Sequence, residues 1–184
     1  NLDKLFVHVS GTHGVEGYSG SGIQNTILKN KLHKIPDDVT CLFVHCMNPY
    51  GMKYGRRFNE NNVDLNRNYC DEAAFKRLKN NPPKHYVALN EWLNPKKILE
   101  KDTFTMADRL YFLWQLMKYN KSDLKQAVVG GQYTYDAGIF FGGFALQSSH
   151  IALTRFLNGH NQNKVDYTKK AKQFAFIDVH TGLG

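Results

Sequence analysis

"LFVHVSGTHGVEGYSGSG", residues 5 to 22, is the stretch on which the fold turns. Leu5 to Val9 is an apolar, β-rich run and reads as a buried strand. The glycines that follow give a tight loop rather than packed core. A helix is expected from about Ser19 to Leu32, with Ile23, Ile27 and Leu28 on one face and Ser19 or Ser21 near its N-cap. Inside the loop, His13 and Glu16 stand three residues apart. That pair reads either as half of a metal site or as a polar turn that holds a histidine.

Working outward, "TCLFVHC" (40 to 46) reads as a second buried strand, ended by Asn48-Pro49. "FAFIDVH" (174 to 180) reads as a third, with His180 delivered at its C-terminal end. Residues 47 to 70 lack periodicity and are rich in Asn, Gly and Arg, which predicts a long functional loop. Short helices are expected over 71 to 80 and 84 to 93, divided by Pro82-Pro83. One long helix is expected over 104 to 128, with Phe104, Leu110, Trp114 and Met117 as a core stripe. A glycine-rich aromatic segment, Gly130 to Gly143, either lines a cleft or packs on itself, and another helix covers 144 to 157. Strands alternating with helices point to an α/β sheet. His8 and His45 lie within strands and read as core or strand-face residues; His150 and His160 lack ligand spacing.

The 184 residues fit one domain, able to bury roughly 70% of its unfolded surface without a disulfide or structural metal. A hydrophobic fraction of 42% with 22% charged residues is ordinary for a globular protein. The net charge of +8 is scattered along the chain and reads as solvated surface, with no nucleic-acid-binding motif beside it. Cys41, Cys46 and Cys70 are odd in number and match no zinc-ribbon or redox spacing, which favours a reducing compartment, the cytoplasm. No run approaches the ~18 apolar residues of a membrane span, so no membrane partner is expected. The chain is strand-like almost from its first residue, so the true N-terminus is expected upstream.

Two further stretches carry chemistry. "RRFNENNVDLNRNY" (56 to 69) gathers Arg56, Arg57 and Arg67 with Asn66. Guanidinium forks match carboxylates bidentately, and an arginine in a water-poor site stabilises a developing oxyanion. In "FIDVHTGLG" (176 to 184), Asp178 and His180 are two apart on a strand and so share a face. An acidic group there suits the ring N–H of a metal-bound histidine. Taken singly, each stretch also reads as surface loop or strand end.

"SGTHGVEG", then "NPYGMKYGRRFNENNVDLNRN", then "DVHTGLG", in this order, resembles the zinc carboxypeptidase-like superfamily, and most closely its DUF2817 branch. Aspartoacylases and succinylglutamate desuccinylases share that layout. The resemblance implies a three-layer α/β/α sandwich around a mostly parallel mixed sheet. It implies one Zn2+ per chain held by His13, Glu16 and His180, and Asn66 with Arg67 gripping a substrate carboxylate. Arg57, or alternatively Arg56, would polarise the scissile carbonyl. The implied activity is hydrolysis of an amide beside a free carboxylate, in a peptide or an N-acyl amino acid. Zinc makes this possible by lowering the pKa of bound water to ~7.

The superfamily also needs a general-base glutamate on a strand beyond the third zinc ligand, and the sequence runs only four residues past His180. Residues 1–184 are therefore expected to form one incomplete catalytic domain, lacking its C-terminal part, with a complementary C-terminal fragment as a possible partner. Glu60 and Glu72 are the candidate substitutes, but nothing in the sequence places either near the zinc ligands. The alternative is a non-catalytic carboxylate-binding or structural remnant.

Overall fold

A computed structural model describes residues 2–96 and 105–182. In chain order these run β1 (Lys4–Ser10), α1 (Gly17–Asn30), β2 (Val39–His45), α2 (Pro49–Tyr54), α3 (Glu72–Asn80), α4 (Lys84–Leu93), α5 (Met106–Lys118), α6 (Lys121–Val129), α7 (Ser148–Leu157), α8 (Tyr167–Lys170) and β3 (Gln173–Val179). Short 3-10 turns occur at Gly14–Glu16, Leu32–Lys34 and Leu65–Arg67. Two compact units result: Asn1–Tyr69 with Leu146–Gly184, and Cys70–Ala145. Among the described residues no helix is long and apolar enough to cross a membrane.

The first unit is mixed α/β, built on a parallel sheet in the order β2-β1-β3. Register pairs Val9 with Val44 on one side and Asp178 on the other, so these side chains share a face. Leu5, Val7 and Val9 project from that face into the core with Met47 and Leu65, and Leu153 and Leu157 of α7 pack against them. Each fully buried aliphatic side chain contributes about 1.5–3 kcal/mol. His8 and Ser10 alternate onto the other face, where α1 lies: Gln24 Nε2 is 3.2 Å from His8 Nδ1, and Ser10 Oγ donates to Gln24 Oε1 over 3.3 Å.

The three strands stand where the apolar runs predict them, but two details of burial differ. Helix α1 lies on the sheet through Gly17, Gly20 and Gln24, whereas Ile23 and Leu28 of the expected core face are exposed. Small residues let the helix backbone approach the sheet, and a polar Gln is accepted because it donates to the His8 and Val44 carbonyls and accepts from Ser10. Glu16, not Ser19 or Ser21, holds the N-cap position of α1. Strand β3 is exposed along most of its length, Phe174, Phe176 and Ile177 included, because it lies at the sheet edge. His8 is buried as its strand position implies; His45, at the end of β2, is exposed. The stretch 47 to 70 is not wholly irregular: Pro49 opens α2, and Asn48 caps it by accepting the Gly51 N–H at 2.8 Å.

In the second unit, α3 and α4 match the helices expected on either side of Pro82-Pro83. The single long helix expected over 104 to 128 is instead two, α5 and α6, parted at Tyr119 and Asn120, and asparagine favours helix starts over interiors. Leu110, Trp114 and Met117 do line one stripe of α5, but they are exposed rather than core, and Phe104 falls outside the described residues. The segment from Gly130 packs on itself: the buried Gln132 side chain accepts the Thr134 and Tyr135 N–H groups, and the Tyr133 ring lies close against Gly142.

Candidate metal centre

His13 and Glu16 owe their position to one turn. Strand β1 ends at Ser10, and His13 then caps the 3-10 turn Gly14–Glu16, whose Glu16 N–H donates to the His13 carbonyl at 3.0 Å. The turn sits hard against the start of α2: a Cβ at Gly14 would meet the Gly51 carbonyl carbon at 2.1 Å and Met52 N at 2.3 Å. Only glycine fits there. The arginine loop is held from both sides, by this turn, whose Val15 N–H donates to the Arg56 carbonyl at 3.0 Å, and by Asn48, the cap of α2, whose Nδ2 donates to the Arg57 carbonyl at 3.1 Å. His180 arrives from the far end of the chain, one residue past β3 and beside β1.

The three side chains meet. His13, Glu16 and His180 each offer one ligand atom, all within 4.8 Å of one another, and they form a group that could hold a metal ion. Nδ1 of His13 lies 3.1 Å from Glu16 Oε1, and Nδ1 of His180 lies 3.3 Å from Glu16 Oε2 and 3.2 Å from His13 Nδ1. Burial pushes the Glu16 carboxyl up, but the Thr181 N–H at 2.9 Å and the two histidines outweigh it, and its pKa falls below the usual carboxylate value.

The outward ring nitrogens decide what the inward ones can do. His13 Nε2 faces Asp64 Oδ1 at 3.1 Å, and His180 Nε2 faces Asp178 Oδ2 at 2.9 Å. With each Nε2 directed at an accepting carboxylate, both Nδ1 atoms are turned inward, towards Glu16 and each other, where a bound cation would take their lone pairs. The two Nδ1 atoms and the Glu16 carboxylate converge on one spot. A cation satisfies that arrangement, and two imidazoles with one carboxylate is a donor set suited to a borderline-soft divalent ion.

Asp64 is the anchor of the whole group. It is fully buried, accepts from His13 and, through Oδ2, from Arg57 Nε at 3.0 Å. Burial raises its pKa, but the His13 hydrogen bond and the Arg57 guanidinium outweigh this and hold it below the ordinary value. Arg57 Nη1 also stands 3.9 Å from Glu16 Oε1. Arg56 turns away: its guanidinium lies 6.0 Å over the Tyr50 ring.

The whole chain, residues 1–184, matches the family model described as "Protein of unknown function (DUF2817)". The chain belongs to the DUF2817 family. No curated protein and no solved structure matches it.

In this DUF2817 chain the remaining residues singled out by sequence divide into two groups. Asp178 stands behind His180, and its Oδ1 accepts from Thr12 Oγ1 at 3.0 Å. Asn66 and Arg67 occupy the turn Leu65–Arg67 directly after Asp64; the Asn66 N–H donates to Asp64 Oδ1 at 3.0 Å, and Arg67 Nη1 to the Asn66 carbonyl at 3.1 Å. Glu60 is exposed, and Glu72 opens α3 in the other unit. The residue that sequence reasoning missed is Asp64. Its signal was present: an acidic residue just before a turn, in the "DLNRN" run.

Proposed function

We propose that this protein is a zinc-dependent hydrolase that cleaves an amide bond beside a free carboxylate. The convergence of His13, Glu16 and His180 on one point carries the reading. In it, the sheet with α1 and α7 on opposite faces is the heart of the three-layer α/β/α sandwich that the motifs imply. His13, Glu16 and His180 hold the ion, a His/His/Glu set that leaves coordination positions open. When bound, zinc supplies Lewis acidity and a water acidified to a pKa of ~7. Asp64 and Asp178 keep the ring tautomers fixed. Arg57, poised between Glu16 and Asp64, places positive charge where the carbonyl oxygen gains negative charge. Arg56 lacks that placement. Asn66 and Arg67 grip the substrate carboxylate and fix the amide over the metal centre. The unpaired cysteines suit a cytoplasmic location.

The test uses the full-length protein. Metal analysis is expected to find about one zinc per chain, lost in His13→Ala and His180→Ala. Peptides and N-acyl amino acids with a free carboxylate are expected to be cleaved, and their amidated counterparts spared. Arg67→Ala is expected to raise KM by roughly 30-fold or more, the loss of a charge-assisted partner. Absence of bound metal in the wild type sinks the reading. A second reading, a carboxylate-binding module without catalysis, is favoured by one observation: Glu16, the only glutamate of the group, faces the histidines and does not stand apart as a base. Zinc with carboxylate binding but no turnover selects it.

A further inference from the structure

The loop that carries Asp64 is held from outside the centre, by the first residues of α7. Asn59 is almost fully buried and folds the loop on itself, its Oδ1 accepting the N–H groups of Asn61 at 3.0 Å and Val63 at 2.9 Å. Its Nδ2 then donates to Gln147 Oε1 at 2.8 Å, and Asn61 Nδ2 reaches the same oxygen at 2.9 Å. The Gln147 backbone N–H returns a bond of 2.7 Å to Oδ1 of the fully buried Asn68. One turn further along, the buried His150 donates from Nε2 to the Leu65 carbonyl at 2.9 Å. A carbonyl only accepts, so this bond fixes the ring tautomer.

Leu65 lies between Asp64, which holds His13 and Arg57, and Asn66, which with Arg67 is assigned to the substrate carboxylate. Residues 59, 61, 65 and 68 are thus pinned to residues 147 and 150, some 80 positions away in sequence. These four bonds join the loop to α7 and leave the side chains of His13, Glu16 and His180 to their own partners. Gln147 acts on the centre through the backbone of one short turn; His150 does so through the Leu65 carbonyl and also lies near Asp178, the carboxylate behind His180. A ligand-orienting carboxylate must stay within a few tenths of an ångström of its imidazole, and buried polar networks that are fully satisfied give that rigidity.

We infer that Gln147 and His150 are positioning residues: clamping the 59–69 loop from the start of α7, they set the affinity of the His13–Glu16–His180 centre for its metal and the grip of Asn66–Arg67 on substrate. This inference rests on the proposed function for its second half. Its first half concerns the loop alone and is read without metal.

The experiment compares wild type, His150→Leu, His150→Gln, Gln147→Ala and His13→Ala in the full-length protein. Amide hydrogen exchange of the metal-free proteins reads the clamp, and chelator competition with zinc reads the centre. In folded His150→Leu and Gln147→Ala, residues 64–68 are expected to exchange at least about tenfold faster, with β1 unchanged, and zinc to bind roughly tenfold or more weakly. His150→Gln, which keeps a donor for the Leu65 carbonyl, is expected to recover most of both. If His150→Leu fails to fold, Gln147→Ala, at a half-buried position, supplies the same readouts. Unchanged exchange over 64–68 in either folded variant overturns the clamp whatever the metal does. Faster exchange with unchanged zinc affinity, while His13→Ala loses zinc, overturns the positioning role and leaves the metal centre standing. Wild type that binds no zinc removes the centre, and with it the positioning role.

Discussion

His150 has a consequence for stability that its ring environment fixes in sign. Burial opposes charging the ring, and although the Leu65 carbonyl and the nearby Asp178 carboxyl favour the proton, the pKa ends below the ordinary 6.5. The Tyr69 ring, edge-on at 5.1 Å, brings no charge. In the unfolded chain the ring takes its proton near pH ~6.5, and in the folded protein only at lower pH. Between the two, the unfolded state binds more protons, so stability rises with pH across that window. Stability is therefore lost as pH falls below ~6.5 towards the folded pKa, and His150 contributes no slope above it. Denaturant midpoints of wild type and His150→Gln, compared from pH 7.5 down to 5.5, are expected to converge as pH falls. A constant gap between the two would contradict a neutral, buried ring. At this scale the sequence was most legible where spacing fixed chemistry. Spacing paired His13 with Glu16 and Asp178 with His180, and the two pairs meet as the resemblance implies. Asp64 was hidden because its role needs two partners at once, one 51 residues distant and the other 7 residues earlier in the same loop.

Among elements, the contact of α1 with the sheet was the least legible. Hydrophobic periodicity shows which residues share a face, but not which face has a neighbour. Ile23 and Leu28 look like a core stripe, yet the helix buries glycines and Gln24, because the buried polar groups His8 and Ser10 on the central strand need a partner and a close backbone. The same limit explains α5, whose apolar stripe is real but exposed, and β3, whose apolar run sits at a sheet edge. The strands themselves and the helices flanking Pro82-Pro83 were legible because they are short, strongly patterned and bounded by turn residues. The close approach of α1 makes a definite prediction. A Cβ at Gly20 would meet Ser10 Cβ at 2.6 Å and Ser10 Cα at 3.2 Å. On helix propensity alone, Gly20→Ala would stabilise by ~1 kcal/mol. Overpacking against β1 opposes this by about 1–3 kcal/mol. Net destabilisation of roughly 1 kcal/mol is expected in urea titration, and a gain in stability would show that α1 can move off the sheet freely.

For the molecule as a whole, the position of the three proposed ligands along the chain matters as much as their chemistry. His13 and His180 are 167 residues apart, yet both lie in the unit formed by the two ends of the chain, and the unit Cys70–Ala145 supplies none of them. A metal held there closes a very long loop. It binds the folded state and not the unfolded one, so occupancy adds stability of about 2.7 kcal/mol when free metal is a hundred times Kd. For a chain of this size that corresponds to a rise in Tm of roughly 5–10 °C. Chelation of the full-length protein is accordingly expected to lower Tm by this amount, zinc to restore it, and His13→Ala to show neither effect. Hydrogen exchange locates the gain. Protection on adding zinc is expected in the 11–17, 64–68 and 178–182 segments, which carry the ligands and the carboxylates behind them, while α3, α4 and the Gly130 to Gly143 segment keep their rates. Protection spread evenly over both units would mean that the metal stabilises the chain by some route other than these three side chains.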